Sequence, residues 1–511
     1  MQIQKLHKTD DFELNDVLRS DFVAETIGGE SIYSYPMRTV LSESNNTNWS
    51  RPVSSMAHVN IPYTYEKSLP LSYNVFHTDL KWSTNKDDQQ RATMYIECLL
   101  VMIRNKVLLN NGDLSKTEIV WFYPASMTQS RFNKFKDKWE NTFKKFFNAP
   151  SSNIIAISES IAPYYYHKAK KGATSTVVSI DIGGGTTDVL IVDRGEPLYL
   201  TSFRFAANTV FGDGYSFDSD SNGFVNKYAP EISHLLEEND LVNLKSVLKS
   251  LLDKKASTDI IAFFFSLAGN KEARNVIDFG EMLANDNRAK YVIILFYTAI
   301  IYHIARIMKA KSLPMPRNIT FSGNGSKILN ILSTNVSTLE RYSKLIFEKI
   351  YDEQYSIDGL SIIHPDNSKE STCKGGICLN PFRSQDYSQI KEMKTILLGK
   401  DNETFVNEQS SYQGINNETD GVVNSVKEFI NFTFDLDKDF SFFDEFDTDR
   451  SIMDAVKGLC FRDIRTFLDN GISTKKGILE QDGADDKIEE SLFFYPIVGV
   501  LNALVRGIYQ L

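Results

Sequence analysis

Eight residues constrain this chain more than any others: Asp181-Ile182-Gly183-Gly184-Gly185-Thr186-Thr187-Asp188, set between the β-branched runs Thr176 to Ile182 and Val189 to Asp193. Two such runs joined by so short a link predict a β-hairpin with a glycine-rich tip. A plain hairpin turn needs one or two glycines, not three bracketed by threonines and acids. Three in a row let successive backbone N–H groups turn toward one concavity, a nest for phosphate oxygens that a Cβ would obstruct. Asp181, at the strand end facing that nest, can hold a hydrated magnesium ion. The Thr186 and Thr187 hydroxyls can contact phosphate or orient a water.

The surroundings place the hairpin in an alternating α/β chain. Ile96, Leu99, Leu100, Ile103 and Val107 follow a helical period, and Glu118 to Tyr123 reads as a buried strand ended by Pro124. Phe132, Phe135, Trp139, Phe143, Phe146 and Phe147 line one face of the next helix; that stripe predicts core packing. Asn153 to Ile157 reads as a strand, Glu159 to Lys170 as a helix, 226–310 as mostly helical, and Asn318 to Phe321 as a strand entering a second glycine loop. The first 90 residues show only short extended pieces such as Ile32 to Val40. Beyond Cys378 the composition shifts, with Asn, Gln, Asp and Glu dominating 384–421. That polar stretch predicts a mobile connector, and Ile452, Val456, Leu459, Ile464 and Leu468 then resume a helical period in a tail expected to dock.

Composition narrows the function classes. A chain of 511 residues with 42% hydrophobic and 24% charged residues predicts about three folded units. A net charge of −10 offers no footprint for nucleic acid or anionic lipid. Four cysteines, with no metal-ligand spacing at Cys373 and Cys378, are structural and point to a reducing compartment, so the expected location is the cytoplasm. The N-terminus carries acids and no apolar run. The longest apolar stretch, Tyr291 to Ala305, is shorter than the roughly 20 residues of a span and predicts a buried helix, not a membrane segment. Asp218 to Gly223 starts like a calcium loop but has Ala229 where the closing Glu belongs, which leaves a solvated turn.

The octet resembles the second phosphate-binding hairpin of the ATPase superfamily of actin, DnaK-type heat-shock chaperones, plasmid-segregation actin homologues and sugar kinases. Other segments follow that family's order. Tyr123-Pro124-Ala125-Ser126-Met127 with Gln129, Ser130 and Arg131 is similar to the chaperone strand-to-helix segment. Ser158-Glu159-Ser160-Ile161-Ala162 resembles the stretch opening the helix before the hairpin, and Phe211-Gly212-Asp213-Gly214 the turn after it. Ile319 to Leu329, with Gly323-Asn324-Gly325-Ser326-Lys327, looks like the adenosine motif, and Asp366 to Gly376 like the closing stretch. The resemblance implies two RNase H-like lobes, about 1–172 and 173–378 with a helical insertion at 226–310, followed by a mainly helical extension, 379–511. It implies ATP or ADP with magnesium. Asp181 would hold the metal through water, and Asp181, Thr186 and Glu159 would serve the reaction. The nucleotide contacts would be Gly183, Gly184, Gly185, Thr186, Thr187, Gly212, Gly214, Gly323, Asn324, Gly325 and Lys327. Lys81 is a candidate phosphate lysine.

One family element has no match. The first hairpin, Asp-x-Gly-Thr, is absent upstream of Tyr33, and Asp278-Phe279-Gly280 lies out of order and reads as a helix junction. Impaired hydrolysis is therefore expected, with nucleotide binding weakened. The alternatives are a non-catalytic scaffold or filament subunit and, from the lone G-x-G at Gly323, a dinucleotide-dependent oxidoreductase. The hairpin opposes the latter, since a tip between strands offers no helix N-terminus to a pyrophosphate. The extension is expected to provide a protein partner surface.

Overall fold

The computed structural model describes residues 40–44, 57–59, 74–77 and, with short gaps, 80–511. Lys81, Phe217 and Asp218 lie outside the described residues, as does the region upstream of Val40.

β-Branched runs and alternating polarity build the central sheet. Its strands are β6 (Val177–Ile182), β7 (Thr187–Asp193), β8 (Glu196–Phe203), β9 (Asn318–Ser322) and β10 (Ser361–Ile363). The order is β10-β9-β6-β7-β8. β6, β7 and β8 form an antiparallel meander, β9 runs parallel to β6, and β10 parallel to β9. That is the RNase H-like arrangement the resemblance implies for the second lobe.

The sheet has two buried faces, and the period-2 alternation divides residues between them. Val178, Ile180, Ile182, Val189 and Ile191 face the helical insertion. Val177, Leu190, Val192 and Leu200 face the first lobe. In that lobe β4 (Ile119–Tyr123) and β5 (Ile154–Ser158) pair in parallel, and the aromatic helix Gln129–Phe147 crosses between them. Trp121 stacks on Trp139 at 5.7 Å, so the predicted stripe is core. A separate antiparallel sheet holds β1 (Val40–Ser44), β2 (Ala57–Val59) and β3 (Asn74–His77), with β1 central.

Two helices join the lobes, Ala162–Lys171 and Ser368–Cys378. They cross at Gly375, where a Cβ would run into the Ala162 carbonyl, while one on Gly376 would meet the Phe122 ring at 2.5 Å. The glycines of the closing stretch thus set a backbone-to-backbone crossing.

The insertion supplies Gly223–Glu238, Val242–Lys254, Ser257–Leu267, Phe279–Ala284 and Ala289–Ala310. Asp278 caps the fourth of these by accepting from Glu281 N at 3.1 Å, so Asp278-Phe279-Gly280 is a helix start. Ala289–Ala310 is long and apolar enough to cross a membrane, but its apolar window is wholly buried inside the protein.

The extension packs into the same core as the second lobe. Phe494 stacks on Phe203 at 4.0 Å, and Phe493 stacks on His303 at 5.5 Å. Burial holds the His303 imidazole neutral, down to about 3. The stretch 384–421 departs from its predicted role as a connector. Ile390, Ile396, Leu397, Leu398 and Tyr412 are all buried, because its few apolar residues pack against β8 and the tail. Leu501, on the terminal helix Phe494–Ile508, has no exposed surface. Leu501→Ala is therefore expected to cost about 2–5 kcal/mol, read as a shift of one shared thermal transition for second lobe and tail. A separate early transition for the tail would contradict the shared core.

Candidate nucleotide site

The hairpin register puts Asp181 opposite Asp188, and Ile182 opposite Thr187. Residues directly opposite across an antiparallel pair point to the same face. Both aspartates therefore face the first lobe, and Thr187 faces the insertion, where its hydroxyl donates to Phe205 O at 2.6 Å. Ser322 of β9 pairs with Asp181, and Ser202 of β8 with Asp188. A polar row, Ser322-Asp181-Asp188-Ser202, thus crosses the end of the sheet.

First-lobe segments meet this row. Ala125 N and Ser160 Oγ donate to Asp188 Oδ1 at 3.3 and 3.2 Å. Thr372 Oγ1, from the closing helix, donates to Asp181 Oδ2 at 3.1 Å. Glu159 N donates to Tyr123 O at 2.9 Å, which fixes the Ser158–Ala162 stretch beside the Pro124 segment. Burial, then the charges of Glu159 and Asp188, push the Asp181 carboxyl up to about 7, against smaller opposing hydrogen bonds from Ser322 and Thr372. Asp181 nevertheless keeps part of its surface open.

The glycine tip is held from below. Gly183 N donates to Thr186 O at 2.9 Å, and Asn208 N donates to Gly184 O at 2.8 Å, so the start of helix Ala207–Phe211 clamps the turn. Gly184 and Gly185 are exposed, and Thr186 is buried beside them. The second glycine loop presses on this hairpin. Gly323 has φ +77°, and a Cβ there would overlap Ile182 O and the Asp181 carboxylate; one on Gly325 would overlap Gly183 O. Asn324 lies part-exposed between them, and Lys327 is exposed on the following turn. Gly212 and Gly214 sit elsewhere, under the terminal helix, where Asn502 Nδ2 donates to Gly212 O at 3.2 Å.

Asp181, Thr186, Glu159, Gly183 to Gly185 and Gly323 to Gly325 are thus brought together, whereas Thr187, Gly212 and Gly214 point or lie away. Asp188, Ser322 and Thr372 belong to the cluster but were not singled out in the sequence. Asp188 had a signal there, since a four-residue tip makes it the partner of Asp181. Among the described residues no three His, Cys, Asp or Glu side chains are placed to hold a metal directly. The charges of Glu159 and Asp188, which raise the proton affinity of Asp181, are ones that a hydrated cation bound through water would offset.

A meander continued by two parallel strands, with a strand–glycine loop–helix packed on its hairpin and two helices between the lobes, defines the architecture. The fold is actin-like. No family model matches the chain, and no curated protein matches it. Among solved structures it is similar to MreB 5 of Spiroplasma citri bound to AMPPNP, at 16% identity and TM-score 0.38 over 69% of this chain and 89% of that one. The ADP-bound form gives 15% identity and TM-score 0.34 over 69% and 90%. The ethanolamine utilization protein EutJ from Carboxydothermus hydrogenoformans gives 11% and 0.28 over 59% and 79%.

Proposed function

We propose that the chain binds an adenine nucleotide between its lobes, with the phosphates at the Gly183–Gly185 tip and the nucleoside along the Gly323–Gly325 loop. The observation that carries this reading is the packing of that loop on the hairpin beside Asp181, which puts a phosphate nest and a glycine-lined strand end in one place. Asp181 would hold magnesium through water, and the metal would screen the phosphate charge. Glu159 and Thr186 stand where a water could be oriented, Glu159 close enough for its charge to act on Asp181.

Nucleotide state would act through the interlobe helices, because the Pro124 and Ser160 segments of one lobe contact Asp188 of the other. Turnover is expected to be slow, since no first phosphate hairpin is legible in the sequence. The four free cysteines suit a reducing compartment such as the cytoplasm. The test is thermal unfolding with ATP or ADP and magnesium: a binder at 100 times its Kd gains about 2.7 kcal/mol. No shift at millimolar nucleotide sinks the reading.

A further inference from the structure

The stretch 384–421, which reads as a connector in the sequence, touches the β8 edge of the sheet through one isolated bridge. Lys394 pairs with Leu200 in a parallel bridge, and Thr395 N donates to Leu200 O at 2.8 Å. Leu200 faces the first lobe, as do Leu190 and, by the same alternation, Asp188 and Ser202. Lys394 therefore stands beside β8 on the face that carries both aspartates, level with Leu200 and two residues along from Ser202, where the polar row ends.

Ser202 Oγ, Ser126 Oγ and Glu489 Oε2 are buried and have no hydrogen-bond partner among the described residues, although buried hydroxyls are ordinarily satisfied. Behind them the extension contributes a sealed ion pair, Lys475 Nζ to Glu490 Oε1 at 2.9 Å. Burial alone would raise the Glu490 carboxyl, but the Lys475 and Arg204 charges, with hydrogen bonds from both, pull it down to about 2. Tyr495 Oη donates to the same Glu490 oxygen at 3.2 Å, and Arg204 N donates to its other oxygen at 3.0 Å. Lys475 and Glu490 thus satisfy each other, whereas Lys394 is half-buried beside them.

We propose that the C-terminal extension completes the nucleotide site, with Lys394 as a positioning residue that balances Asp188 and so tunes the affinity of the glycine hairpin for a polyphosphate. This rests on the nucleotide reading above. Three carboxylates, Asp181, Asp188 and Glu159, oppose a polyanion at the tip, and a cation on their own face offsets that repulsion. The charged groups acting on Lys394 are Asp188 from the hairpin and Glu489, Glu490 and Lys475 from the extension; burial, the largest influence, lowers its affinity for the proton.

The experiment is calorimetry of the full chain with ATP and with ADP in magnesium, for the wild type, Lys394→Met and Lys394→Arg, at several pH values. Lys394→Met should weaken ATP about tenfold or more and ADP less, and Lys394→Arg should restore affinity to within about threefold. Because burial lowers the proton affinity of Lys394, the wild type should lose affinity for ATP at a lower pH than Lys394→Arg, whose guanidinium stays charged. A purely structural lysine would not separate those two pH profiles. Lys394→Met binding ATP like the wild type, or superimposable wild-type and Lys394→Arg profiles, overturns the proposal while leaving the nucleotide reading intact. Absence of wild-type binding defeats both. If Lys394→Met does not fold, the wild-type and Lys394→Arg profiles still decide.

Discussion

Gly375→Val is expected to abolish cooperative folding of the two-lobed unit, or to destabilise it by more than about 4 kcal/mol. The first atom added to Gly375 already runs into the Ala162 carbonyl, which belongs to a helix backbone and cannot swing aside. The two interlobe helices would have to separate, uncovering Ala162, Tyr164 and Leu379 in the first-lobe core. Gly477→Ala is the control. A Cβ there meets nothing within 4 Å inside helix Ile464–Asp482, and the change should be neutral or stabilising by up to about 1 kcal/mol. Chemical unfolding of both variants checks the pair, and equal midpoints would remove the helix crossing from the account.

Asp181→Asn should stabilise the nucleotide-free protein above neutral pH and leave it nearly unchanged in acid. Burial and the charges of Glu159 and Asp188 raise the folded-state pKa to about 7 from 3.8, so the folded form holds a proton that the unfolded chain has lost. Stability is therefore lost as pH rises from about 4 toward 7, by an amount on the order of 2–4 kcal/mol. The amide cannot ionise, so it escapes this loss. Unfolding free energies should coincide below about pH 4, separate between about 4 and 7, and keep that separation above 7. Parallel curves would show that Asp181 is not crowded by its neighbours.

What could be read in advance was whatever a short window encodes. The hairpin, its Gly183–Gly185 tip and Asp181 follow from glycines between β-branched runs; the apolar run Tyr291 to Ala305 marks a helix, but the helix Ala289–Ala310 outruns it and is long enough to span, so its burial and not its length makes it a core helix. Pairing across strands was only half legible: alternation implies that Thr187 and Asp188 face opposite ways, yet only the register shows which one faces the cleft. At Gly323 and Gly325 a G-x-G says that backbone approaches something, but not that one neighbour is the chain's own hairpin. Lys394 left no local signal. It sits among polar residues, and the bridge that places it joins positions 200 and 394. The same holds for the ion pair Lys475–Glu490, whose burial depends on a tail whose docking was foreseen but whose contacts were not.

The most direct measurement is titration calorimetry of the full chain with ATP and magnesium, comparing the wild type with Gly184→Val at the exposed tip. A Cβ there meets only the Asn208 side chain, at 3.4 Å, and Gly184 is exposed, so the fold should tolerate the change. It would nonetheless stand in the concavity assigned to the phosphates. The account predicts saturable heat for the wild type and loss of most of it for Gly184→Val, with unchanged unfolding of the nucleotide-free proteins. Equal binding by the two, or no binding by the wild type, would contradict it.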